Sequence, residues 1–176
     1  YRFTDKKVSQ EILNQALLAA SNAPCHKHTH PWKFYILGKA TRTKLIPTIS
    51  RLAAIKSAKQ NSQNLEADCS RAINKITQPP LLIAVTSKKT EDDSFREKED
   101  YAATVCALHN LVLSLWENGV GSQWSTGSIT RDEETYDILS IDSKTEEIIG
   151  FVKAGYPEKT REVRKKPVVD IVNYLD

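Results

Sequence analysis

The fold is decided by a charge-free stretch, residues 101–116, which reads YAATVCALHNLVLSLW. It contains no Asp, Glu, Lys or Arg, whereas Glu97 to Asp100 precede it and Glu117 follows it. With these flanks the composition predicts a helix of about twenty residues that is apolar nearly all round and must be buried on every side. A domain of 176 residues has limited interior for such a helix. We therefore expect burial against a second copy of the chain, that is, a homodimer.

The residues before this helix predict a helix, a loop and a strand. Apolar residues recur at spacings of one, three and four from Val8 to Ser21, and Ser9 is placed to cap the first turn. This pattern predicts an amphipathic helix that ends near Asn22. The aromatic-rich run from Trp32 to Leu37 then predicts a short strand.

The middle of the chain is more polar. Between Thr41 and Thr77, where Pro47 interrupts the pattern, we expect two or three helices around a mobile, solvated segment near Gln60 to Asn64. The run from Leu81 to Thr86 is continuously apolar and lacks the alternation of a half-exposed strand. It predicts a buried strand in the centre of a sheet.

Beyond the charge-free helix, Gly119 and Gly121 are placed to end it, because glycine adopts positive φ without strain. We then expect a loop from Gln123 to Ser128, a short helix from Arg131 to Ser140 that Thr130 starts, and a last strand from Glu147 to Tyr156. Since helices and strands do not strictly alternate, the fold class is α+β, one domain with helices packed on a mixed sheet.

The charge distribution argues against nucleic acid as a partner. The formal net charge is +3, and the Lys and Arg residues are spread along the chain instead of forming one basic face. Only the tail is locally basic, with Lys159, Arg161, Arg164, Lys165 and Lys166. Such a tail is either simply solvated or binds an anionic group such as a phosphate.

Cysteine usage and hydropathy indicate the compartment. The cysteines, Cys25, Cys69 and Cys106, are odd in number and form no CxxC pair, which favours a reducing compartment, the cytoplasm, over a disulfide framework. No apolar run reaches the roughly 18 residues that span a membrane, and the N-terminus lacks the apolar core of a signal peptide. We expect a soluble, unexported protein with no membrane partner.

The loop from Ala23 to Trp32 holds three of the four histidines, His26, His28 and His30. If it is extended, the alternate histidines point one way and with Cys25 can bind a metal, although no second ligand group with zinc-like spacing follows elsewhere. A nucleophilic Cys25 needs an imidazole within hydrogen-bond reach, which adjacency to His26 does not supply. The interpretation we favour is that the loop lines a ligand site and hydrogen-bonds a flat heterocycle.

The order of residues in this loop resembles the FMN-binding loop of the nitroreductase family. The family pattern is Ala-Pro-Ser, two variable residues, Asn, one variable residue, and Gln-Pro-Trp. This chain has Ala23-Pro24 and Pro31-Trp32, with Cys25 for the Ser, His28 for the Asn and His30 for the Gln. The pair His26-Lys27 resembles a small-subunit branch of the family, in which a His at that position is near the flavin.

Two further segments carry the resemblance. Asn118 to Gly127 resembles the family's Gly-rich turn and flavin loop, in which Trp124, Ser125, Thr126 and Gly127 would contact the cofactor and the backbone N–H groups of Thr126 and Gly127 would face the reacting edge of the isoalloxazine. Fixed dipoles there can stabilise the electron density that hydride transfer shifts across the ring system.

The third segment is the last strand and tail, Ile149 to Pro167, and the resemblance implies that Arg164 and Lys165 bind the FMN phosphate. The family opens with Arg-Arg-Ser, whose arginines hold the same phosphate. This sequence begins at Tyr1 just after that point, with Arg2 as the last basic residue of the motif.

The resemblance implies an α+β fold with a central mixed, mostly antiparallel sheet flanked by helices, and FMN in a cleft of the homodimer with contacts from both chains. NADH or NADPH would pass hydride to flavin N5 and leave, and an electron-poor acceptor such as a nitroaromatic, quinone or enone would replace it in a ping-pong cycle. No side chain need act as a general acid, so no catalytic residue is identified. Two alternatives stay open: a non-catalytic flavin- or ligand-binding dimer of the same fold, and a metal-binding protein that uses the histidine loop.

Overall fold

The computed structural model describes residues 2–160 and 162–175, so Arg161 of the basic tail lies outside the described residues. Among those residues the helices are α1 (Gln10–Ser21), α2 (Lys39–Lys44), α3 (Ile46–Lys59), α4 (Leu65–Thr77), α5 (Ser94–Glu117) and α6 (Glu133–Leu139). The strands are β1 (Trp32–Ile36), β2 (Leu81–Lys88), β3 (Gly121–Ser125) and β4 (Glu146–Gly155). Short 3₁₀ turns occupy His26–His28, Ser128–Arg131 and Val168–Asp170.

The strands form one sheet in the order β1-β2-β4-β3, with every described pairing antiparallel. The α+β class is confirmed, but the described strands form a wholly antiparallel sheet and not the expected mixed one. Strand β2 lies inside the sheet and its first seven residues are buried, as its continuous apolar sequence predicts. Strands β1 and β3 are the two edge strands. The start of β1 and the end of β3 both lie toward the end of the sheet where β4 begins.

Helices cover both faces of the sheet and form two apolar cores. On one face, α1 and α5 pack with residues such as Leu111 and Val152. On the other face, α2, α3, α4 and α6 surround residues such as Leu45 and Phe151. This arrangement hides the sheet on both sides and leaves its two edges accessible.

The local sequence explains where the early helices begin. The Ser9 side chain accepts a hydrogen bond from the Ile12 N–H, so α1 starts one residue later, at Gln10. Pro47 lies in the first turn of α3, where its missing N–H costs nothing, and so it begins a helix instead of breaking one. The segment Gln60 to Asn64 links α3 to α4. This part of the chain therefore contains three helices, α2, α3 and α4, where two or three were expected.

Helix α5 contains the charge-free stretch and spans 24 residues. One side packs on the sheet and on α1, and Leu111 and Leu115 there are fully buried. The opposite side is exposed and will be called the α5 stripe: Ala102, Cys106, His109, Leu113 and Trp116. One chain therefore covers only one side of this helix, and its burial on the other side stays a prediction. No described helix is both long and apolar enough to cross a membrane.

The region after α5 differs from the sequence-based expectation. Gly119 does end the helix with φ of 72°. Gly121, however, is the first residue of β3, and this strand replaces the first half of the loop expected from Gln123 to Ser128. Thr130 belongs to the 3₁₀ turn, and α6 begins at Glu133 after Asp132. The expectation was wrong because the sequence of β3, GSQWS, has few of the residues that favour strands, and only pairing with β4 makes it one.

Candidate cofactor site

The histidine loop, residues 25–30, turns sharply at the β1 edge of the sheet. His26–His28 is a 3₁₀ turn, and three residues adopt left-handed φ: Lys27 at 52°, His28 at 53° and His30 at 43°. The imidazole of His30 meets the Trp32 ring edge to face, with centroids 5.5 Å apart. The rings of His26 and His28 are exposed to solvent, where they are free to meet a ligand.

This geometry bears on the metal and nucleophile hypotheses. Because the loop is a turn and not an extended segment, its histidines do not line one side of a strand. No group of three His, Cys, Asp or Glu side chains converges as a metal site within residues 2–160 and 162–175. The imidazole beside the Cys25 thiol is that of His30, with Sγ and Nδ1 3.8 Å apart, and not that of the adjacent His26.

The edge strand β3 carries two of the expected contact residues, Trp124 and Ser125. The Trp124 indole N–H donates to the Ile149 carbonyl at 3.2 Å, which lays the ring against Gly150 of β4. A Cβ at Gly150 would lie 2.1 Å from the indole nitrogen, so only glycine leaves room for the ring. The Ser125 hydroxyl donates to the Phe151 carbonyl at 3.3 Å. Both side chains are thus held by β4.

The residues that follow β3 present unused backbone donors. The Gly127 carbonyl accepts from the Thr130 N–H at 3.0 Å and from the Thr130 hydroxyl at 2.9 Å, which fixes the loop against the 3₁₀ turn. The N–H groups of Thr126 and Gly127 find no acceptor among the residues that the structure describes. The space beside Gly127 is open, with nothing within 4 Å of a Cβ placed there. The pair can therefore donate to a bound ligand.

The sheet keeps the histidine loop and the Thr126-Gly127 loop apart within one chain. Both lie toward the same end of the sheet, but one adjoins edge strand β1 and the other edge strand β3, with β2 and β4 between. Three strand spacings separate these edges by about 14 Å. A single chain therefore does not bring the two loops together around one small ring.

Of the basic residues expected at the phosphate, Arg2 lies beside the C-terminal end of β4, and Arg164 and Lys165 follow that strand in the sequence. The Arg2 carbonyl accepts from the Glu158 N–H at 3.1 Å, and Phe3 forms a β-bridge with Pro157. Arg2, Arg164 and Lys165 are exposed, and none forms an ion pair with any residue in the described ranges. Arg2 thus lies beside the start of β3, and the side chains of Arg164 and Lys165 form no hydrogen bond or ion pair with residues 2–160 or 162–175.

Two buried charges near the site were not identified from the sequence. Burial lowers the pKa of Lys153, the β4 residue paired with Gln123 of β3, and the nearby Lys75 ammonium lowers it further. Asp100 of α5 is 1% exposed and accepts a 2.6 Å hydrogen bond from the Thr29 hydroxyl in the histidine loop. Asp100 lies on the buried side of α5, one turn before Thr104.

Comparison with known proteins points to one family. The model of the nitroreductase family matches residues 1–156. A protein of Bacillus subtilis (strain 168), named "Putative NAD(P)H nitroreductase YfhC", is 28% identical over 171 residues, which cover 96% of this chain and 85% of the relative.

Solved structures share the fold. The crystal structure of a nitroreductase-like family protein from Bacillus cereus superposes with a TM-score of 0.77 at 25% identity. The match covers 98% of this chain and 88% of the Bacillus cereus chain. A nitroreductase with bound FMN from Bacteroides fragilis NCTC 9343 superposes with a TM-score of 0.72 at 20% identity. The match covers 99% of this chain and 91% of the Bacteroides fragilis chain.

Proposed function

The chain belongs to the nitroreductase family, and we propose that it is an FMN-dependent oxidoreductase that uses NADH or NADPH to reduce an electron-poor acceptor. When bound, FMN would supply the hydride chemistry, taking hydride at N5 from the nicotinamide and passing it to a nitroaromatic, quinone or enone in a ping-pong cycle. The protein binds the flavin, orients the reactants over it and supplies fixed dipoles.

The observation that carries this proposal is the pair of free N–H groups at Thr126 and Gly127. Both belong to a loop whose carbonyl is already fixed by Thr130, so the donors need not reorganise when a ligand arrives. Directed at the reacting edge of the isoalloxazine, they stabilise the electron density that reduction adds to the ring system. The solved relative from Bacteroides fragilis, with the same fold, has FMN bound.

We assign the binding of the FMN phosphate to Arg2, Arg164 and Lys165. Arg2 lies beside the start of β3, and the Thr126-Gly127 loop follows the end of the same strand, whose five residues span about 17 Å. An extended FMN molecule can bridge these ends, with the phosphate at the basic end and the ring at the N–H pair. Arg164 and Lys165 have no partner among the described side chains, so their cations are available to the phosphate.

A homodimer completes the site. His26, His28 and His30 are remote from Thr126 within one chain, so in a shared site they contact the flavin held by the second copy. Two uncovered apolar surfaces favour such a dimer. One is the α5 stripe, in which Leu113 is 52% and Trp116 57% exposed, and the other is the tail, in which Val169 is 79% and Leu175 93% exposed. We also propose a cytoplasmic location, which the free thiols of Cys25, Cys69 and Cys106 support.

An absorbance spectrum tests the proposed function. Purified protein is mixed with FMN and then with NADH or NADPH under argon, together with the variants Thr126→Pro and Thr126→Ala. We expect flavin bands that the nicotinamide bleaches in the wild type and in Thr126→Ala, which keeps the N–H. Thr126→Pro removes that donor and should impair flavin binding or reduction. A wild type that ignores FMN would contradict the proposal, and bound flavin that no nicotinamide reduces would favour a non-catalytic binding protein.

A further inference from the structure

A buried carboxylate lies beneath the histidine loop. Asp100, in the second turn of α5, is 1% exposed and accepts the Thr29 hydroxyl hydrogen bond at 2.6 Å. A buried charge is tolerated only where polar partners compensate it, so this side chain and its partners form one unit. Thr29 is the residue that ends the 3₁₀ turn, so this bond fastens the C-terminal end of the turn to α5.

Arg96 fastens the other end of the same turn. It lies one helical turn before Asp100, and its Nη2 donates to the His26 carbonyl at 3.2 Å. Its Nε lies 3.6 Å from Oδ2 of Asp100, and the Arg96 side chain is only 15% exposed. Asp100 therefore binds Thr29 directly through a hydrogen bond. It also forms an ion pair with the Arg96 guanidinium, which in turn binds the His26 carbonyl. Both ends of the turn are tied to one helix.

The loop needs such ties because its backbone is strained. Lys27, His28 and His30 all have φ between 43° and 53°, a region that residues with a Cβ rarely adopt. Conformations of this kind persist only where the surrounding structure holds them, and they concentrate at ligand-binding sites. Within the described residues, the side-chain bonds from α5 to this turn are those of Arg96 and Asp100.

We propose that Arg96 and Asp100 are positioning residues, which hold the histidine loop in the conformation that contacts FMN. The inference rests on the proposed function for its ligand, but the ties themselves join protein groups and can be tested without FMN. The Thr29 hydroxyl is the best group to remove, because Thr29→Val deletes it with almost no change in the size of the side chain.

The experiment compares Thr29→Val, which loses the hydroxyl, with Thr29→Ser, which keeps it. A third variant, Thr104→Val, is the control, since Thr104 is fully buried one turn further along α5 and its hydroxyl contacts Ser87 and the Asp100 carbonyl, not the loop. For each protein we would measure trypsin cleavage after Lys27 by mass spectrometry, the FMN dissociation constant by fluorescence, and unfolding in urea.

We expect Thr29→Val to raise both the rate of cleavage after Lys27 and the FMN dissociation constant roughly tenfold. It loses the 2.6 Å hydrogen bond to the Asp100 carboxylate together with the longer, 3.3 Å contact to the His26 carbonyl. Thr29→Ser should keep the wild-type values. Thr104→Val should lower the resistance to urea and leave both loop measurements unchanged.

Three outcomes would overturn the inference: unchanged cleavage in Thr29→Val, increased cleavage with an unchanged FMN dissociation constant, or equal effects of Thr29→Val and Thr104→Val on the loop. A wild type that binds no FMN would refute the proposed function instead, and cleavage after Lys27 would still report whether the ties order the loop.

Discussion

The two edges of the sheet are held in different ways. At the β1 edge, hydrogen bonds attach the strand to its neighbours. Glu146 of β4, which is only 9% exposed, accepts hydrogen bonds from Lys33 and Tyr35 of β1 and from Thr86 of β2. At the β3 edge, close packing attaches the strand, because the Trp124 ring of β3 lies against Gly150 of β4. Each edge adjoins one of the two loops assigned to the flavin.

The difference indicates which conditions each edge tolerates. Hydrogen bonds to a buried carboxylate depend on its ionisation, so the β1 edge should respond to pH. Packing of a ring on a glycine depends on volume, so the β3 edge should respond to the addition of a single methyl group. The contrast can be tested by substitutions that affect one edge at a time.

The largest effect is expected from Glu146→Ala, which removes the acceptor shared by three donors. The Thr86 hydroxyl is fully buried and would lose its partner at 2.6 Å. The free energy of unfolding in urea should fall by about 3 kcal/mol. The matched control is Glu147→Ala, next along β4, whose carboxylate forms no hydrogen bond with the described residues and should matter little. Equal losses in the two variants would mean that the carboxylate cluster does not anchor β1.

A somewhat smaller effect is expected from Gly150→Ala. Its Cβ would lie 2.1 Å from Nε1 of Trp124, so the indole must leave the Ile149 carbonyl. We expect a loss of about 2 kcal/mol in the free energy of unfolding and a changed Trp fluorescence spectrum. Gly38→Ala is the control, because nothing lies within 4 Å of a Cβ at that position. An unchanged spectrum in Gly150→Ala would show that the ring is not packed on the glycine.

The smallest effect concerns pH. Burial acts to raise the pKa of Glu146, but hydrogen bonds from Lys33, Thr86 and Tyr35 outweigh it and hold the pKa below its ordinary value of 4.5. A carboxyl with a depressed pKa contributes stability that is present above the unfolded value and is lost as pH falls through the folded value. Below pH 4.5 the free energy of unfolding should therefore fall more steeply for the wild type than for Glu146→Gln. Parallel pH curves would contradict this account.

The elements with long, uniform patterns were predictable from the sequence. The charge-free stretch predicted the helix α5, and the continuous apolar run predicted the strand β2, which is buried on both faces of the sheet. The ties at the β1 edge were not predictable. Lys33 and Glu146 are separated by 113 residues and Thr29 and Asp100 by 71, so no local pattern links them.

The site was predictable in part, through the loops that resemble the family motifs. The sequence placed the histidine loop before a strand and the Thr126-Gly127 loop after the charge-free helix, and both are found there. It could not show that the sheet separates them, because strand order is set by long-range pairing. That separation is the reason for proposing a site shared by two copies.

Subunit complementation tests the shared site most directly. One variant carries His26→Ala and His28→Ala, the other carries Thr126→Pro, and each is expected to be inactive alone. When the two are unfolded and refolded together, each mixed dimer should hold one site built from two intact loops. We predict recovery of about a quarter of the wild-type NADH- or NADPH-dependent reduction of a quinone, because half of the dimers are mixed. If each chain carried its own site, every site would keep a defective loop, and the mixture would stay inactive.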